Sequence, residues 1–144
     1  MQTFHNRLKT MKLRLLLKKD GEVLFEIPLS MEEWTKQRLE TELTFSKNEL
    51  EKFSKLFDAL SHATRLKMMT HLLEDDDLTL GFGEFMRDLG LNPKTVWEST
   101  RKLQEGGLLV RSEDGRYRAS EPGAAEFLLL SLALRRLSKA VEEI

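Results

Sequence analysis

The 144-residue chain contains no cysteine. That removes disulfides, thiolate metal sites and thiol nucleophiles in one step. Histidine is scarce too: only His5, His62 and His71 occur, and none has a second histidine four residues away. Zinc needs three or four convergent ligands, so no metal site is expected. No stretch has the uninterrupted apolar length of a membrane helix. The basic start, MQTFHNRLKTMKLRLLLKKDGE, has its apolar runs broken by Lys12, Arg14 and Lys18. It lacks the continuous apolar region and small-residue cleavage site of a signal peptide, and a cytoplasmic protein without membrane contact is expected. Catalytic signatures are missing as well. There is no glycine-rich phosphate loop and no nucleophile with a base at a recognisable spacing. Gly81-Phe82-Gly83 has no expected strand before it and lacks the third glycine of a dinucleotide fingerprint. The expectation is a non-enzyme without a cofactor. Charge is nearly balanced, at a formal −1, so any polyanion binding must come from local clustering.

What is present is mostly helical pattern with short β-prone runs. KLRLLLKKDGEVLFEIPL reads as a hairpin around Asp20-Gly21. A two-residue loop would mix the faces, setting Leu15 opposite Glu26. A three-residue loop, Lys19 to Gly21, instead pairs Leu17 with Val23, Leu15 with Phe25 and Leu13 with Ile27. It sets Lys18 against Glu22 and Arg14 against Glu26 on the other face. The cations of this hairpin are therefore read as half of a charge-paired surface rather than as a basic arm. Two capping boxes follow: Ser30 with Glu33 predicts a helix over about 31–43, and Ser46 with Glu49 one over about 47–60. Leu50, Phe53, Leu56, Phe57 and Leu60 give the second a clean apolar stripe. A helix over roughly 62–74 should bury Leu66, Met69, Leu72 and Leu73. It ends in the run Glu74-Asp75-Asp76-Asp77, read as a solvated loop. A short helix over about 82–89 stops at Gly90.

The stretch NPKTVWESTRKLQEGGLLVRSEDGRYRAS, residues 92–120, carries the most information. Asn92 suits an N-cap and Pro93 the first helical position, which predicts a helix over 93–105 ended by Gly106-Gly107. Val96, Ser99, Thr100 and Leu103 form its inward stripe. Lys94, Glu98, Arg101 and Glu105 form its outward one, flanked by Thr95 and Lys102 on one side and Trp97 and Gln104 on the other. Asp114-Gly115 fits a two-residue hairpin turn, which would set Val110 opposite Ala119, Ser112 opposite Tyr117, Arg111 opposite Arg118 and Glu113 opposite Arg116. Three arginines would then share one face. Residues 92–118 hold six basic and four acidic side chains. A short helix, a turn, a capped helix and a basic hairpin make a winged helix-turn-helix, with the second helix suited to a major groove.

LFDALSHATRLKMMTHLLE (56–74) resembles the ArsR-type winged-helix repressors, whose pattern reads F-x-A-L-S-x-P-T-R-L-x-I-L-x-x-L. The stretch from Leu89 to Ser120 resembles the recognition helix and wing of the same family. The resemblance covers about 46–144 and implies a homodimeric DNA-binding transcriptional regulator, with repression as the expected direction. Ala63 departs from the family's proline, and Trp97, Ser99 and Thr100 from its usual Ser, His and Leu. The short helix GFGEFMRDL lacks the cysteine pair that many members use to sense soft metals. The hairpin of residues 12–29 lies outside the resemblance.

Phe127, Leu130, Leu134, Leu137, Val141 and Ile144 follow three- and four-residue spacing in the last helix, about 121–143. That is the seam of a coiled coil, and Leu128, Leu129 and Leu132 widen it. Dimerisation through Phe127, Leu130, Leu134, Leu137 and Val141 is expected. The expected whole is a mainly α protein with small β. It comprises an appendage of β-hairpin and short helix (1–45), a winged helix-turn-helix (46–120) and a dimerisation helix (121–144). Thr95, Trp97, Glu98 and Arg101 are expected at base edges of double-stranded DNA. Lys94, Lys102, Arg111, Arg116 and Arg118 are expected at phosphates or the minor groove. Two rivals remain: a winged-helix adaptor that binds protein in the transcription machinery, and an RNA-binding winged helix.

Overall fold

The computed structural model describes residues 12–143; the basic start, His5 and Ile144 lie outside them. It is mainly helical with small antiparallel sheets. Among the described residues no helix is long and apolar enough to cross a membrane. The chain divides into two compact units, one of residues up to Asn48 together with those from Ser138, the other from Glu49 to Leu137.

In the first unit β1 (Arg14–Lys19) and β2 (Glu22–Pro28) pair antiparallel. The expected three-residue loop is not formed. Lys19 pairs with Glu22 across a two-residue turn, with φ at 51° for Asp20 and 85° for Gly21. Two left-handed residues give the primed turn whose twist matches the strands. The mixing of faces that such a turn entails is repaired one step on. Lys18 pairs with Val23 but Leu17 with Phe25, so Leu24 bulges out. Beyond it Leu15, Leu17, Phe25 and Ile27 share one face. Each residue of β1 thus meets a different partner from the expected one. Arg14 still reaches Glu26, diagonally, at 2.8 Å, and also donates to Glu33 at 2.6 Å. These carboxylates, Glu33 foremost, push the Arg14 guanidinium further above its already high range.

The first capping box is not formed; Glu33 pairs with Arg14 through Oε1 instead. Ser30 makes no side-chain cap bond and opens only a 3-10 turn, Met31–Glu33. The helix proper, α1 (Lys36–Asn48), starts later, where Thr35 Oγ1 accepts from the Arg38 amide at 3.2 Å. Ser46 lies inside α1 and caps nothing. The next helix, α2 (Leu50–Ala59), begins after Glu49.

The second unit adds α3 (Ala63–Glu74), β3 (Thr79–Leu80), α4 (Phe82–Leu89), α5 (Pro93–Glu105), β4 (Leu109–Arg111), β5 (Tyr117–Ala119) and α6 (Glu121–Leu128). Its sheet has the order β3-β5-β4, all antiparallel. Leu56 and Ala59 of α2, Met68, Met69 and Leu72 of α3, Phe85 of α4, and Val96 and Leu103 of α5 form the core with Leu80, Leu109, Tyr117 and Phe127. Fully burying one such side chain contributes about 1.5–3 kcal/mol. Two expected core positions move: Leu66 is exposed, its place taken by Met68, and Leu73 is only partly buried. On α2 the expected stripe is likewise narrower, since Leu50 and Phe57 are exposed. The junction after α5 needs glycine twice, for different reasons. A Cβ on Gly106 would stand 2.7 Å from that of Ala59, and Gly107 has a φ of 78°.

The terminal helix is not continuous α-helix. A π-helical turn, Leu129–Ala133, separates α6 from α7 (Leu134–Glu143). Its i→i+5 bonds insert an extra residue into the turn, so three- and four-residue spacing no longer keeps one line. Phe127 is 5% exposed in the core, Leu130 packs partly against that core, and Leu134 is 56% exposed. Leu137 and Val141 are half-buried. Phe127 therefore has little surface to give a partner, and the described residues of the expected seam, Phe127 to Val141, do not follow one helical line.

Candidate functional site

Helix α5 has the expected limits. Asn92 Oδ1 accepts from the Thr95 amide at 2.8 Å, which satisfies one of the unpaired donors at the helix start. Pro93 occupies the first turn, where a missing N–H costs nothing. Val96, Ser99, Thr100 and Leu103 are all buried. The opposite face is left to Lys94, Trp97, Glu98 and Arg101, all exposed, with Thr95 half-buried. On this face the Arg101 guanidinium lies over the Trp97 ring, 5.0 Å from its centroid.

Lys102 does not belong to that free surface. Its ammonium donates to Asp58 Oδ2 of α2 at 3.0 Å, and this bond holds the Asp58 carboxyl below its ordinary range. Lys102 ties α5 to α2.

The β4–β5 hairpin departs from expectation by one residue of register. Leu109 pairs with Ala119, Val110 with Arg118 and Arg111 with Tyr117. The loop has three residues, Glu113 to Gly115, closed by the Ser112 amide donating to the Arg116 carbonyl at 2.8 Å. A one-residue slip moves every side chain to the other face, so the expected set of three arginines on one face does not exist. Arg111 shares the face of Tyr117 and lies over its ring, 5.7 Å from the centroid. Arg118 is exposed beside Val110 on the other face. Arg116 turns inward: Nη1 pairs with Glu84 at 2.7 Å and Nη2 donates to the Thr79 carbonyl at 3.2 Å. Glu84 also accepts from the Gly81 amide at 3.3 Å, so one carboxylate caps α4 and anchors the hairpin.

Of the six cations expected at the site, those left without a carboxylate partner among the described residues are therefore Lys94 and Arg101 on α5 and Arg111 and Arg118 on the hairpin. Sequence reasoning overlooked β3, whose Thr79 pairs with Arg118 and whose Leu80 pairs with Tyr117. Two residues give no periodicity to find. It also overlooked the bridge between His71 Nε2 and Asp88 Oδ2, 2.9 Å long, joining α3 to α4. Among the described residues no group of three or more His, Cys, Asp or Glu is arranged to hold a metal ion. No protein-family model matches the chain, and no curated protein matches it in sequence.

Proposed function

We propose that residues 49–137 form a winged helix-turn-helix and that the protein is a cytoplasmic, homodimeric, sequence-specific DNA-binding transcriptional regulator, most consistent with repression. The observation that carries the reading is the outer face of α5. The helix is capped at Asn92, fixed by a fully buried stripe, and presents Lys94, Trp97 and Arg101 on the side away from the core. A preceding short helix and a following hairpin with exposed Arg111 and Arg118 complete the arrangement that enters a major groove and straddles the backbone. The sequence resemblance to ArsR-type regulators supports it. The exposed leucines of the terminal helix, Leu128, Leu129, Leu132 and Leu134, support a second copy as their cover.

The test is duplex selection from a random pool, followed by affinity over a salt series. If Lys94, Arg111 and Arg118 each neutralise one phosphate per protomer, a dimer has a log–log salt slope of about −5; all five expected phosphate contacts would give about −9. Absence of any salt-dependent duplex binding would refute the reading.

A second reading, a protein-binding adaptor, is favoured by one feature. Trp97 is 56% exposed in the middle of a helix face that also carries Glu98 and Glu105, and exposed tryptophans are frequent anchors of protein interfaces.

A further inference from the structure

We infer that Trp97 and Arg101 act as one reading unit, which takes a guanine together with a thymine one or two base pairs away; this rests on the DNA-binding reading above. The two side chains sit four residues apart on the exposed face of α5, with the guanidinium over the indole, 5.0 Å from its ring centroid. This cation–π contact restricts the rotamers of a long, flexible arginine before any ligand arrives, which reduces what binding must order. A guanidinium held this way presents its fork of donors to a paired acceptor, and guanine O6 and N7 in the major groove are such a pair.

Trp97 brings a different chemistry. Its ring is a donor only at one nitrogen, and much of its apolar surface stays open although Arg101 covers part of it. In a major groove the apolar group at a base edge is the C5-methyl of thymine. Four residues advance about 6 Å along the helix, against a base-pair step of about 3.4 Å. The methyl contacted by Trp97 thus falls within two base pairs of the guanine contacted by Arg101.

The experiment takes the preferred duplex from the random pool and changes single atoms of it. Replacing the thymine by deoxyuridine removes only the methyl. With the unmodified protein this should weaken binding about fourfold, the effect of one methyl group buried or lost. With Trp97→Ala, an exposed position whose substitution should leave thermal stability unchanged, the same replacement should have no effect. Replacing the guanine by 7-deazaguanine should cost about tenfold, and Arg101→Ala should erase that difference. Three results overturn the inference while leaving DNA binding intact: selected sites without a guanine and a nearby thymine, a methyl effect that persists in Trp97→Ala, or no methyl effect in the unmodified protein. A pool from which no duplex is enriched overturns the inference and the DNA-binding reading together, and is told apart from those three by its lack of any salt-dependent complex.

Discussion

Two hairpins in this chain are built on the same dipeptide and solve their turns differently. At Asp20-Gly21 both residues are left-handed and the loop has two residues; at Asp114-Gly115 only the glycine is, with φ at 83°, and the loop has three. The difference lies in what the aspartate can bond. Asp114 Oδ1 accepts from Ser112 Oγ at 2.7 Å and from the Arg116 amide at 3.0 Å, so its side chain organises a wider loop around itself. Asp20 has no such acceptor bond among the described residues, and the compact primed turn is left as the solution that suits strand twist. The surroundings differ as well. Tyr117 and Leu109 of the second hairpin are buried in the core, whereas Leu17 and Phe25 of the first are each 46% exposed. The packed hairpin keeps a regular register. The exposed one keeps its apolar set together only by a bulge at Leu24, a device that re-aims side chains where the register would otherwise be wrong.

The widest gap between the two should appear on truncating their aromatic residues. Tyr117→Ala removes a ring that is 5% exposed and packs 6.2 Å from Phe85; it should cost about 3–5 kcal/mol. Phe25→Ala should cost under about 1 kcal/mol, because nearly half of that ring already meets solvent. Urea denaturation of both variants checks this, and equal losses would show that the first hairpin is as firmly packed as the second.

A smaller effect separates two arginines of the second hairpin. Arg116→Ala breaks the bond to Glu84 and should lower stability by about 1 kcal/mol, a modest figure because both partners are partly exposed. It should leave the salt slope of duplex binding unchanged. Arg118→Ala should do the reverse, sparing stability and reducing the slope magnitude by about one unit for each phosphate released. Thermal melts and binding isotherms on the same two variants decide it; matching behaviour would mean that Arg116 leaves Glu84 in the proposed DNA complex.

The sequence revealed α5 well and both registers poorly, for a physical reason. The limits and inward stripe of α5 follow from short-range rules: a cap three residues from its target, proline in the first turn, apolar side chains at helical spacing, glycine at the end. A register depends on which loop the tip prefers, and that choice rested on hydrogen bonds of Asp114 and on a bulge at Leu24, neither of which pattern alone encodes. The three-arginine face fell with the register. Lys102 and Arg116 were read as free cations because their partners, Asp58 and Glu84, stand 44 and 32 positions away in the chain. Helix α1 has no buried residue and hence no stripe by which to place its ends. The π turn breaks the even spacing expected of the terminal helix, since spacing arguments assume one helical period throughout.

The smallest expected effect is a pH dependence at the tip of the packed hairpin. Hydrogen bonds from Ser112 first, then from the Arg116 amide, hold the Asp114 carboxyl below its ordinary value of 3.8. A carboxylate whose value falls on folding binds its proton more readily in the unfolded chain. It therefore adds stability that is complete above the unfolded value and vanishes as pH falls through the lower, folded one. Asp114→Asn removes the charge and should remove this increment. Melting temperatures of the two proteins should differ by a constant amount from neutral pH down to about pH 5, then converge below pH 3.8, as the linkage requires. If the curves stay parallel to the acid limit, the loop is held by its backbone conformation alone, and the bonding of Asp114 is not what sets it apart from Asp20.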